Sequence, residues 1–173
     1  MGDSAMAVVA IFLAAILMFV FPLMTMADKK DDVTTLSVQT MTNELVDTIR
    51  TTGKLTQEQY DNYMQSLAAT GNAYDVDISI KVSDDNPAKK EVTVNYGTIG
   101  EKVYYEMHTT QVLDALRNGK VLVLNEGDIV SVSSKNTNTT IAMQLRDFLY
   151  KVTGQNSSTV TAYASGMVTT NGK

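Results

Sequence analysis

The side chains able to do chemistry are few and scattered. His108 is the single histidine and the chain has no cysteine. A metal centre needs three or four convergent donors, so a solitary imidazole between Met107 and Thr109 points to a surface or capping role. Without cysteine there is no thiolate nucleophile, no disulfide and no Cys-based zinc site. Carboxylates cluster at Asp28/Asp31/Asp32, Asp75/Asp77 and Asp84/Asp85. Asp75 and Asp77 share one strand face and offer oxygen ligands of the kind Ca²⁺ favours. A solvated strand face is the favoured reading, since no EF-hand pattern accompanies them. The motifs HExxH, GxSxG, GxGxxG and GxxxxGK with Ser or Thr are all absent. Asn138-Thr139-Thr140 and Asn156-Ser157-Ser158 match the glycosylation sequon, but Asn/Thr-rich stretches give such matches by chance and read as turn and cap residues. The expectation is a protein without catalytic, cofactor-binding or metal-binding residues.

Charge narrows the partners. Acids outnumber bases 19 to 14, for a net charge of −5. Nucleic-acid binding rests on clustered Lys and Arg, and the pairs Lys29–Lys30 and Lys89–Lys90 each sit beside acids, so no nucleic acid is expected. The 173 residues leave room for one membrane segment and one domain of ordinary size.

The strongest signal lies near the N-terminus. Ala5 to Met26 carries no charge, and Thr25 is its only hydroxyl. As a helix it spans roughly 33 Å, against about 30 Å for a bilayer core. Thr25-Met26-Ala27 is a passable signal-peptidase site, but Met1-Gly2-Asp3-Ser4 has no Lys or Arg and the apolar run exceeds a usual signal core, so an uncleaved helix is expected. A buried core helix seldom stays apolar all round for so long. Pro22 lies inside the run and should kink it. No GxxxG face exists, but Ala7, Ala10, Ala14 and Ala15 fall three and four apart and form a face another helix can approach closely, although Ala is common in any such helix. Ten Met, concentrated in and near this helix, suit packing between partners and equally suit plain membrane-helix composition. Orientation is weakly encoded: Lys29–Lys30 pull the C-terminal flank inward.

The helix is expected to continue past the membrane. Val33, Leu36, Met41, Leu45 and Ile49, with Val38 and Val46 alongside, make one drifting helical stripe, and Gly53 ends it. Thr56 caps a second helix, with Gln59 completing a capping box; it runs to about Ala69 and turns Tyr60, Tyr63, Met64 and Leu67 inward. Tyr74–Val82 alternates as a half-buried strand, Asp84–Pro87 is turn chemistry, and Glu91–Tyr96 alternates again as the other arm of a hairpin. Thr109–Asn118 reads as a short helix. Val121–Leu124 reads as an apolar strand, after which Asn125–Asp128 turns the chain and Ile129–Ser133 returns. Thr139–Val152 is an amphipathic helix with Ile141, Leu145, Phe148 and Leu149 inward, and a last strand falls at Thr159–Tyr163. The fold class is α+β: a long N-terminal apolar helix, in a membrane or filament core, over residues 1–53, then a small head with antiparallel strands over residues 54–173.

An N-terminal apolar helix, Pro22 near its end, an amphipathic continuation and a small α+β head resemble the type IV pilin-like proteins, most nearly the TadE-like pseudopilins of tight-adherence systems. Ala5–Ile49 carries the architecture, and Glu126-Gly127-Asp128-Ile129-Val130-Ser131-Val132-Ser133 is similar to the Gly-Asp and alternating strand of TadE-like heads. The resemblance implies a structural subunit, not an enzyme. It implies storage in a bacterial or archaeal membrane, homo-oligomeric packing through the N-terminal helix, help from pilus or secretion machinery, and a filament at the cell surface. Asp3, Ala7, Ala10, Ala14, Phe19 and Pro22 are the assembly residues this reading singles out. The sequence departs from the family in its leader. Only Met1-Gly2 precedes Asp3, and cleavage after Gly2 would put Ala7 where pilins carry a glutamate. Asp3 is then the nearby carboxylate able to meet a neighbour's N-terminal amine. The alternative is a single-pass membrane-anchored accessory protein of a secretion or conjugation apparatus.

Overall fold

The computed structural model describes residues 2–83, 104–141, 143, 144, 147 and 161–172. The turn at Asp84–Pro87, the strand at Glu91–Tyr96, the residues Leu145, Phe148 and Leu149, and the Asn156 sequon lie outside the described residues. The chain divides into two compact units, Met1–Leu36 with Thr139–Val160, and Ser37–Asn138 with Thr161–Lys173.

One helix, α1, runs Gly2–Thr52 and continues through both Pro22 and the charged stretch Asp28–Asp32. Its threonines return their hydroxyls to the helix. Thr25 donates to the Phe21 carbonyl at 3.0 Å, and Thr34, Thr35, Thr42 and Thr48 each donate to the carbonyl four residues back. Such bonds satisfy a hydroxyl without any outside partner, which is what an apolar environment requires of Thr25.

In the first unit Thr140 is buried and caps a helical turn, accepting the Met143 N–H at 3.2 Å. Its own hydroxyl donates to Asp31 Oδ2 at 2.8 Å. Ile141, Met143, Gln144 and Asp147 are helical, as the periodicity predicts. Ile141, expected inward, is instead 67% exposed, while Met143 is buried. The cap at Thr140 sets the phase of this turn, and that phase puts Met143 inside.

The second unit is the α+β head. α1 contributes Val38, Leu45, Val46 and Ile49 to its core, with Thr42 buried among them. Val33 and Leu36 do not share that stripe and are 64% and 69% exposed. At 3.6 residues per turn they lie about 140° and 160° around the helix from Val38, so the expected drift does not occur. Gly53 then takes φ +65°, and its N–H closes on the Ile49 carbonyl at 2.8 Å. Any Cβ at Gly53 would collide with the Thr170 carbonyl, and one at Gly172 with the Gly53 carbonyl, so both positions require glycine where the chain's two backbones meet.

α2 spans Gln57–Ala69 behind the capping box the sequence predicts, with Thr56 Oγ1 accepting from Gln59 N–H and Gln59 Oε1 accepting from Thr56 N–H. Tyr63 and Leu67 are its buried face, with Tyr60 and Met64 packed beside them. α3 spans Thr109–Arg117 and buries Val112 and Leu116.

A four-stranded antiparallel sheet has the order β3-β2-β5-β6, from Tyr104–Met107, Tyr74–Ser83, Ile129–Asn136 and Thr161–Met167. Ile78 pairs with Val132, and Val132 with Ala164, so one row of apolar side chains crosses the sheet. Val76, Ile78, Ile80, Val130, Val132 and Ala162 are all buried. β2 also pairs antiparallel with β3, a strand the sequence reading did not foresee, because Tyr104-Tyr105-Glu106-Met107 does not alternate. A second, two-stranded sheet joins β1 (Lys54–Leu55) to β4 (Leu122–Val123). This corrects the expectation that the chain doubles back on Val121–Leu124. The turn at Asn125–Asp128 forms, but it passes the chain from one sheet to the other.

Candidate functional site

The residues singled out for assembly all lie on α1 before the charged stretch. Asp3 falls in the first turn of the helix. Ala7, Ala10, Ala14, Phe19 and Pro22 are exposed, and so are the large apolar residues among them, including Ile11, Phe12 and Leu13. The helix is long and apolar enough to cross a membrane, and none of its most apolar stretch is buried within the chain. Each such aliphatic or aromatic side chain moved out of water contributes about 1.5–3 kcal/mol. Large exposed apolar surfaces of this kind mark membrane or protein contacts.

Among the described residues no group of three or more His, Asp and Glu is placed to hold a metal ion. Asp75 and Asp77 do not converge on one point with other carboxylates. Asp77 Oδ1 instead accepts a 3.3 Å bond from Thr109 Oγ1, which ties β2 to the start of α3. His108 is the N-cap of α3, and its backbone N–H is accepted by Gln111 Oε1 at 3.1 Å. The capping role read for it holds. Asn138 likewise acts as a turn residue, accepting the Ala73 N–H at 2.9 Å. A groove between α1 and α2, lined by Glu44 and Thr48 on one side and Gln59, Asn62 and Ser66 on the other, encloses about 240 Å³. That falls below the roughly 300–1,000 Å³ typical of ligand pockets.

The buried polar groups of the head are structural, and their proton order can be worked out. The single Thr42 hydroxyl proton goes to the Val38 carbonyl at 2.7 Å. Thr42 Oγ1 must therefore accept at 2.8 Å from Tyr63, whose oxygen in turn accepts from Ser134. One directed chain thus joins β5, α2 and α1. Burial raises the Tyr63 pKa above that of a free phenol, opposed in part by the bond it accepts from Ser134. Asp128, only 1% exposed, accepts the Ser83 N–H and the Asn125 N–H, each at 2.8 Å. Its carboxylate fastens the end of β2 to the turn that opens β5. On the solvent face, the Ser79 hydroxyl at 2.6 Å holds the Glu106 pKa below the usual range.

Compared with models of known families, with characterised proteins and with solved structures, the chain matches none.

Proposed function

We propose that this protein is a structural subunit of a pilus-like extracellular filament, held in the membrane by α1 before assembly and packed through α1 afterwards. The observation that carries the reading is a long apolar helix with no cover from its own chain, joined to a small α+β head. An anchor needs only to cross lipid. In this helix Ala7, Ala10 and Ala14 add a face of small side chains, which favours close approach by a second helix. The likeness to type IV pilin-like and TadE-like proteins in helix placement, Pro22 and the Gly127-Asp128 strand entry supports the same reading. In this account the head has no catalytic task and is presented outside the cytoplasm.

Negative-stain electron microscopy of the sheared surface fraction, with immunogold against the head, tests it. Thin fibres labelled along their length are expected. Label confined to the membrane, with no fibres, would replace the filament subunit by a single-pass anchored accessory protein of a secretion or conjugation apparatus. Capture of stoichiometric partners would then identify that apparatus.

A further inference from the structure

Among the described residues β6 is an edge strand of the four-stranded sheet. The row of N–H and C=O groups on an edge is a template for another chain, and proteins commonly blunt it with charge or proline. β6 has neither: it reads Thr161-Ala162-Tyr163-Ala164-Ser165-Gly166-Met167. Low charge and the absence of proline are two of the features that let a strand pair with copies of itself. Membrane tethering would hold many such strands side by side.

The protection comes from α1. Gln39 Nε2 donates to the Tyr163 carbonyl at 2.8 Å, and the Tyr163 N–H donates to Gln39 Oε1 at 3.3 Å. One side-chain amide thus makes the two bonds that a neighbouring strand would make. Asn43 Oδ1 accepts from Gln39 Nε2 at 3.0 Å, which fixes the amide's orientation. Further along, Arg50 Nε donates to the Met167 carbonyl at 2.9 Å, while Asp47 Oδ1 holds its guanidinium at 2.9 Å. Gly166 lets Arg50 lie against the strand, because a Cβ there would collide with Arg50 Cδ. Tyr163 and Met167 are four apart, so their backbone groups face the same way, outward from β5.

We propose that Gln39 and Arg50 guard the β6 edge, and that the partner they exclude is β6 of a second copy, paired antiparallel. The guard stands whether the apolar half of α1 ends in lipid or in a fibre, so this inference does not depend on the filament reading.

The chain has no cysteine, so Ser165→Cys places one thiol at the centre of the edge. A disulfide forms only when Cα atoms come within about 4.4–6.8 Å, so contact between apolar helices cannot produce it. Full-length protein in detergent is oxidised with copper phenanthroline and oxygen, and the disulfide dimer is quantified. Adding Gln39→Leu and Arg50→Met to Ser165→Cys is expected to raise the dimer severalfold. Val132→Ala, which loosens the core without touching the guard, is expected to leave it unchanged. An unchanged dimer in the guard variant, or an equal rise with Val132→Ala, would overturn the proposal. If the double variant does not fold, Gln39→Leu alone is followed by amide hydrogen exchange. Faster exchange at Tyr163 with β5 still protected supports the guard, and unchanged exchange at Tyr163 overturns it.

Discussion

Asp128 shows how one side chain fixes a junction. Its carboxylate satisfies two backbone N–H groups from different segments while buried. Asp128→Ala leaves both donors unsatisfied, and we expect a loss of about 3 kcal/mol in denaturant unfolding of the detergent-solubilised protein. Tyr63 gives a pH signature. Its folded pKa is raised by burial, so above the unfolded phenol value of about 10 the unfolded state loses its proton first. The contribution is complete below that pH and falls as pH climbs toward the folded pKa. Tyr63→Phe should cost about 1–2 kcal/mol at neutral pH, through the Ser134 hydroxyl left without its acceptor. The variant should also lose less stability than the parent between neutral and strongly alkaline pH, as read by unfolding at each pH. Neither role can be read from residue type alone. Asp128 looks like any turn aspartate in Asn125-Glu126-Gly127-Asp128, and only the fold brings the end of β2 to it.

At the scale of the element, the sequence spoke most clearly where its signals were local. The capping box of Thr56 and Gln59, the stop at Gly53 and the alternation of Tyr74–Val82 each appear in the structure as read. The losses came where partners lie far apart in sequence. Val121–Leu124 and Ile129–Ser133 look like two arms of a hairpin, yet β4 pairs with β1 and β5 lies between β2 and β6. Val33 and Leu36 share the apolar spacings of three to five that mark the stripe, but the strict period excludes them. For α1 itself, a charge placed amid the apolar run is the direct test. Ala14→Lys should cost about 2.5–3.5 kcal/mol of membrane insertion, so more of the protein should be released by alkaline carbonate extraction. Gln65→Lys, at an exposed position of α2 in the head, should leave extraction unchanged.

At the scale of the whole molecule, the same chain joins a water-compatible head to a helix that water does not tolerate. The α+β class and the apolar helix were legible because composition and periodicity report burial directly. What the helix packs against is not written in that pattern, since lipid and a neighbouring helix reward the same side chains. The small-residue face separates the two environments. Ala10→Cys places a single thiol on that face, and oxidation of intact cells followed by analysis of the sheared surface fraction reads it out. Our account expects cross-linked chains of this protein in that fraction, with a markedly weaker yield from Phe12→Cys, about 160° around the helix from Ala10. Cross-linking no stronger at Ala10 than at Phe12, with all of the protein retained in the membrane as monomer, would contradict assembly through α1.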